Sequence, residues 1–287
     1  MRLAVDLGGT QVRAAKVADD GAVLTREARP TPVTDPTPDA LLAWIAAQAE
    51  GCASVVFGVP GRVDHGRDRL DVAPNLPPQW GFDAADLSAT LGRPCALAND
   101  ADLAAVGEAY AGAGQGASDL AFVTLSTGVG AGVLLGGRLV RGRWSSGELG
   151  HVVIDRTAWR AGAPATVEAL ASGTALARRA GRPGPAVVEA ALAGDPAARD
   201  ALAEVVEAAA LGLRALIYLF SLERVIVGGG LGRTPTVLAD LSTALTPHLP
   251  PGLPTALVPG QLGDDAALVG AAFWHRAQPD APASRPR

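Results

Sequence analysis

Short apolar runs broken by glycine pairs set the rhythm of this chain. Leu3-Ala4-Val5 leads into Asp6-Leu7-Gly8-Gly9-Thr10, and an alternating stretch follows from Val12 to Val17. This pattern predicts an antiparallel meander over 2–6, 12–18 and 22–28, its second turn made by Asp19-Asp20-Gly21. A Pro/Thr-rich link, 30–38, precedes a helix with Asp39 near its start and Leu41, Leu42, Trp44 and Ile45 inside. Strands are expected at 54–59, stopped by Pro60-Gly61, and at 96–98, ended by Asn99-Asp100. A helix over 101–110 and a flexible Gly/Ala segment over 111–117 close the first half.

The second half repeats the plan. Strands are predicted over 120–125, 132–135 and 138–141, and helices over 167–180, 186–193 and 197–220. A buried-type strand at 224–227 stops at Gly228-Gly229-Gly230, a final helix covers 264–276, and 278–287 reads as a frayed tail. The repeated meander indicates a duplicated α/β fold.

Each meander turns on a glycine hairpin. After a strand, Asp6-Leu7-Gly8-Gly9-Thr10 removes side chains so that backbone N–H groups can close on an anion. Asp6 can hold a hydrated Mg²⁺, and Thr10 adds a hydroxyl. Ser126-Thr127-Gly128-Val129-Gly130-Ala131-Gly132 repeats the device. Taken alone, those glycines fit a Rossmann fingerprint or a tight hairpin. They lead into a second strand rather than a helix, so the hairpin is favoured and hydride chemistry is not. No Gly-x-x-x-x-Gly-Lys-[Ser/Thr] occurs. The two hairpins and the triplet at 228–230 leave a different nucleotide cradle.

Asn99-Asp100 marks a strand end that becomes a helix start. Both residues are good N-caps, and the same edge is where open α/β sheets place ligands. A general base with an amide beside it is the functional reading. Asp102, in the first helical turn, is explained by the macrodipole. Glu148 and His151 in Gly147-Glu148-Leu149-Gly150-His151 stand three apart and can face one side of a turn. Of four histidines, His151 is the one placed as a ligand; His65, His248 and His275 read as surface or packing residues. Glu168, taken alone, is a solvated helix-start acid.

The composition narrows the remaining classes. Of 287 residues, 48% are hydrophobic and 18% charged, so two cores are well supplied. The net charge is −5 with no Lys/Arg block, which argues against nucleic-acid binding by phosphate neutralisation. The two cysteines, Cys52 and Cys95, provide no disulfide framework or Cys-x-x-Cys knuckle. No apolar run approaches the ~18 residues of a membrane span. The chain enters a strand at once, so no targeting segment is expected and the cytoplasm is the expected compartment.

These residues together resemble the ROK family of bacterial sugar kinases, within the actin-like/hexokinase superfamily. The matching stretches are DLGGT (6–10), VPGRVD (59–64), APNLP (73–77), ANDADLAAVGEA (98–109), STGVGAG (126–132), GELGH (147–151), VEALASGTAL (167–176) and GGG (228–230). The resemblance implies a two-lobed, ribonuclease H-like α/β fold with duplicated mixed sheets. Residues 1–112, completed by the helix at 264–276, would form the small lobe, 113–263 the large one, and 277–287 a tail. It implies ATP and Mg²⁺ as cofactors, a small sugar as partner, and a homodimer.

By the same resemblance Asp100 is the catalytic base, and Asn99, Glu148, His151 and Glu168 are sugar ligands. Gly61 and Asn75 lie on sugar-side loops. Asp6, Gly8, Gly9, Thr10, Thr127 and Gly128 belong to the phosphate and Mg²⁺ region, with Gly229 and Gly230 at the adenine side. The implied reaction is phosphorylation of a hexose at its 6-hydroxyl. The alternative substrates are amino sugars (N-acetylmannosamine, N-acetylglucosamine, kanosamine) or sugar-like cyclitols. The family's regulators carry a helix-turn-helix ahead of the first hairpin, where this chain has only one short strand.

Three departures matter. The Cys-rich zinc loop that many members carry after the GELGH-type motif has no cysteine here, over 154–166, so no thiolate zinc site is expected and His151 is free for the sugar. Gln11 replaces the usual Lys, leaving Arg13 or Mg²⁺ to supply charge. Asp102 stands where the family often has Asn.

Overall fold

The computed structural model describes residues 1–249 and 255–278, and builds one five-stranded sheet plan twice. In the first half β1 (Arg2–Leu7), β2 (Gln11–Val17) and β3 (Val23–Pro30) form the antiparallel meander. Helix α1 (Asp39–Gln48) crosses to β4 (Val55–Val59), which lies parallel to β1. A small hairpin, β5 (Arg62–Asp64) and β6 (Arg69–Val72), and α2 (Ala84–Leu91) lead to β7 (Cys95–Asn99), parallel to β4. The sheet order is β3-β2-β1-β4-β7. Every residue of β4, Val-Val-Phe-Gly-Val, is buried, as expected of a central strand with parallel neighbours covered on both faces.

Helix α3 (Asp100–Ala111) links the halves. The second meander is β8 (Leu120–Leu125), β9 (Val129–Leu135) and β10 (Arg138–Leu139). It is followed by α4 (Arg156–Arg160), α5 (Val167–Ala171), α6 (Gly173–Ala180), α7 (Gly184–Leu192) and α8 (Pro196–Phe220). Strand β11 (Arg224–Gly228), α9 (Gly229–Gly232), α10 (Pro235–Leu245), β12 (Ala256–Pro259) and α11 (Ala266–Ala277) complete the chain. The order β10-β9-β8-β11-β12, with β11 and β12 parallel to β8, repeats the first sheet strand for strand. This is the duplicated, two-lobed ribonuclease H-like arrangement of the actin-like ATPases.

Helices α3 and α11 lie between the two sheets. One apolar cluster joins Ala4 and Val56 of the first sheet, Phe122 and Ile226 of the second, and Leu103, Val106, Leu268 and Trp274 of the two helices. The helices cross almost without side chains. A Cβ on Gly107 would lie 2.1 Å from the Ala266 carbonyl oxygen, and one on Gly270 would lie 1.9 Å from that of Leu103. On its other side α3 meets β9, where a Cβ on Gly132 would lie 2.7 Å from the Cβ of Ala105. Backbone contact of this kind leaves no room for a methyl group.

Several elements differ from expectation. The helix expected over 167–180 is two, because extended Ser172 ends α5 and its hydroxyl accepts the Ala175 N–H (3.0 Å) to start α6. The strand expected at 132–135 begins at Val129, so Gly130 and Gly132 lie inside it, and β10 is shorter than expected. The 111–117 segment is not loose. The buried Glu108 carboxylate accepts N–H groups from Ala113 (2.8 Å), Gln261 (3.2 Å) and Leu262 (2.8 Å), tying the end of α3 to the loop after β12. The β5–β6 hairpin, α2, α10 and β12 were not foreseen; the hairpin does alternate charged with apolar residues, but over only three and four positions, Arg62–Asp64 and Arg69–Val72. Gln278, expected in the tail, bonds through its side chain to the Trp274 carbonyl (3.0 Å), and 279–287 lie outside the described residues. Among the described residues no helix is long and apolar enough to cross a membrane.

Replacing Gly270 by Ala is expected to destabilise the protein by about 1–3 kcal/mol or more, through overpacking. Gly81→Ala, where nothing lies within 4 Å of the added methyl, should change little. Chemical denaturation of both variants checks the difference.

Candidate active site

The first hairpin is held from both sides. The Gly8 N–H donates to the Gln11 carbonyl (3.0 Å), the Thr31 hydroxyl to the Gly8 carbonyl (2.6 Å), and the Thr31 N–H to the Thr10 carbonyl (3.0 Å). A Cβ on Gly9 would lie 2.7 Å from both the Cβ and the carbonyl oxygen of Asn75. The hairpin and the Asn75 loop therefore touch. Asp6 stands opposite Arg13 in the β1–β2 ladder, and both Nε (3.0 Å) and Nη2 of Arg13 donate to its Oδ2.

The ends of β4 and β7 meet the start of α3. Gly61, at φ +148°, passes so close to β6 that a Cβ would lie 2.0 Å from the Val72 carbonyl oxygen. Its own carbonyl accepts the Asn99 Nδ2–H (2.9 Å), while Asn99 Oδ1 accepts the N–H groups of Ala101 (2.9 Å) and Asp102 (3.2 Å). Asn99 thus caps α3, and one amide N–H remains for a ligand. Asp100 is the first helical residue, and its Oδ1 accepts the Ala101 N–H (2.8 Å). Gly58 sits beside Asp6 in the sheet and carries no side chain to separate it from Asp100, whose Cα is 3.8 Å from where a Cβ would be.

Electrostatics single out Asp100. Burial, then the charge of Asp6, and more weakly that of Glu148, push its pKa up to about 6 against the pull of two backbone N–H groups. At neutral pH it remains ionised yet is more basic than an ordinary carboxylate, which suits it to taking a proton from an alcohol. Asp102 departs from the macrodipole reading. It is wholly buried, neither carboxyl oxygen has a partner, and burial with the neighbouring Asp100 and Glu148 charges pushes its pKa well upward. Both causes favour its protonated form.

The second hairpin is gripped by α5 and α6. The Gly173 N–H donates to the Ser126 carbonyl (2.6 Å), and the Thr174 hydroxyl to that of Thr127 (2.7 Å). Glu168 Oε2 accepts the Val129 N–H (2.9 Å) and lies 2.5 Å from where a Cβ of Gly128 would be. A Cβ on Gly150 would lie 3.3 Å from that of Glu168, so the hairpin, Glu168 and the 148–151 turn form one group. In that turn His151 Nε2 is 3.8 Å from Glu148 Oε2, with the imidazole 79% exposed. Gly229, at φ +80°, presses on the Leu125 carbonyl at the hairpin's base, and Gly230 faces open space.

A seam brings Glu148 towards Asp100. Val63 N–H donates to Ser145 Oγ (3.1 Å), Ser145 N–H to the Val63 carbonyl (3.1 Å), and His65 N–H to the Arg143 carbonyl (2.8 Å). The chain just before Glu148 therefore pairs with β5. This seam, the Thr31 clasp and the Arg13–Asp6 grip had no sequence signal; each joins residues from separate elements.

Zinc does not fit the 154–166 loop. It contains no thiol, and it closes through backbone bonds, including Ile154 N–H to the Ala165 carbonyl (2.9 Å) and a bridge between Val153 and Thr166. Among the described residues no group of three or more His, Cys, Asp or Glu is placed to hold a metal.

The sequence matches the ROK family over residues 2–278. The chain belongs to the ROK family. It is 32% identical to a glucokinase of Streptomyces coelicolor, with 98% of each chain aligned. It is also 32% identical to an N-acetylmannosamine kinase of Escherichia coli O157:H7, over 94% of this chain and 97% of that one. A crystal structure of a ROK family glucokinase from Streptomyces griseus in complex with glucose and AMPPNP superposes with a TM-score of 0.80 at 32% identity, covering 95% and 98% of the two chains.

Asp102→Asn is expected to stabilise the fold. Burial holds the pKa of folded Asp102 above the 3.8 of the unfolded chain, so the carboxyl costs stability above that pH and nothing below it. The gain, on the order of 1–3 kcal/mol near pH 7, should vanish on acidification below 3.8, as urea unfolding at several pH values would show.

Proposed function

We propose that this protein is an ATP-dependent kinase that phosphorylates a hexose or hexose derivative at its 6-hydroxyl. The observation that carries this reading is Asp100, a raised-pKa carboxylate at the N-terminus of α3 within the fields of Asp6 and Glu148. The Streptomyces griseus relative, in complex with glucose and AMPPNP, supports the ligand classes.

In the proposed reaction Asp100 accepts the hydroxyl proton as the alcohol oxygen attacks the γ-phosphorus and ADP departs. Phosphoryl transfer asks mainly for positioning and charge stabilisation. Asn99, Glu148, His151 and Glu168 orient the sugar, with Gly61 and Asn75 shaping its loops. Gly8, Gly9, Thr10, Thr127 and Gly128 hold phosphates through backbone N–H groups and hydroxyls. Gly229 and Gly230 take the adenine side. Asp6 would hold Mg²⁺ through water, a fit suggested by its second carboxyl oxygen, for which no protein partner is recorded among the described residues; the ion would neutralise charge on the phosphate oxygens. Residues 1–112 with α11, and 113–263, are the two lobes that close to exclude water.

An amino-sugar substrate is the second reading. The similarity to an N-acetylmannosamine kinase favours it. A sugar panel with ADP detection separates the two. Activity with neither glucose nor any N-acetylhexosamine would count against both.

Asp100→Asn should lower kcat by about 10²–10⁴-fold with little change in sugar affinity. Because the base must be ionised, kcat should fall as pH drops through about 6 and be level above it. A variant with near-normal turnover would remove the base assignment.

A further inference from the structure

From the sequence, Arg13 or Mg²⁺ is expected to supply the charge that Gln11 lacks. In the structure the Arg13 guanidinium is engaged with Asp6. Gln11 is exposed at the start of β2, while Arg13, two residues on, lies directly opposite Asp6 in the antiparallel ladder. Directly opposed residues share one face of a sheet, so the guanidinium meets the carboxylate without leaving the strand pair. Nε and Nη2 both donate to the same oxygen, Oδ2. Both side chains are largely buried, at 26% and 16% exposure, so the contact is less screened than a surface pair. Oδ1 has no recorded protein partner among the described residues.

We infer that Arg13 is a positioning residue for the proposed reaction: it clamps one oxygen of Asp6 so that the other is presented, at fixed angle, to the hydrated divalent cation that accompanies the nucleotide. The inference rests on the kinase reading above. It assigns Arg13 to the cation rather than to a phosphate. With Nε and Nη2 committed to Asp6, the guanidinium plane is fixed by that carboxylate, and only the remaining Nη hydrogens could meet a phosphate, a contact that the metal-free arm of the test below detects. A lysine in its place has one ammonium and no planar fork, so it can neutralise Asp6 without fixing its orientation.

The test is calorimetric binding of AMPPNP to the full chain, with and without Mg²⁺, for wild type, Arg13→Gln and Arg13→Lys. Binding of glucose or N-acetylmannosamine, whichever is turned over, is measured alongside. Arg13→Gln is expected to weaken Mg²⁺–AMPPNP binding by about tenfold or more, the scale of a lost charge-assisted pair. Metal-free AMPPNP and the sugar should bind within about twofold of wild type, a charge contact with neither being lost. Arg13→Lys should recover part of the loss, and it carries the test alone if the Gln variant does not fold. Equal weakening with and without Mg²⁺ would mean a direct phosphate contact and would overturn the inference, as would unchanged Mg²⁺–AMPPNP binding. If wild type binds no Mg²⁺–AMPPNP and phosphorylates no sugar, the kinase reading falls first and this inference with it.

Discussion

Helix α3 is pressed between α11 and β9 at distances that only glycine permits, and the rest of the molecule is arranged around that contact. Gly107 and Gly270 let the two helices approach backbone to backbone, and Gly132 lets the second sheet close from the other side. A helix held this way cannot slide or turn, because a shift of a few tenths of an ångström would create clashes rather than softer contacts. Its ends are tied too. Asn99 caps the start and binds Gly61, and Glu108 anchors the finish to two loops. Asp100 therefore projects from a fixed point between the two duplicated sheets.

That fixed point is also where charge accumulates. Asp6, Asp100 and Glu148 come from β1, α3 and the turn after the second meander, and the charges of the other two burden Asp100. The protein relieves the crowding in two ways. Arg13 pairs with Asp6 from the adjacent strand, and burial without a partner pushes Asp102 towards its protonated form. Asp100 is left as the moderately basic carboxylate of the group, with a pKa of about 6. A carboxylate of this kind is better suited to receiving a proton than a fully solvated one.

The second hairpin is framed by the two helices that follow it. Its shape depends on Glu168, which accepts the Val129 N–H, and on the α6 start, which binds Ser126 and Thr127. Backbone bonds between 152–155 and 165–167 close the intervening loop and bring α5 back beneath the hairpin. Glu168 serves the hairpin with one carboxyl oxygen, so a helix-start acid that looks merely solvated in the sequence is part of the hairpin's frame.

Much of this was legible in the chain itself. Period-two apolar runs with glycine turns reported both meanders, because strand alternation and the need for φ > 0 or close approach are local properties. The order of the motifs carried the family. Other features belong to no local pattern. The break at Ser172 looks like continuous helix until the hydroxyl is seen capping α6. Asp102 looks like a dipole-stabilising acid until β9 covers it, and Arg13 looks free until the ladder register sets it opposite Asp6. The strands, hairpins and motif residues were written in the sequence because short-range sterics and hydrogen bonding determine them. Which carboxylates crowd together, which one is pushed towards its protonated form and which cation answers them were decided only by the tertiary structure, since burial and distance in space set those energies.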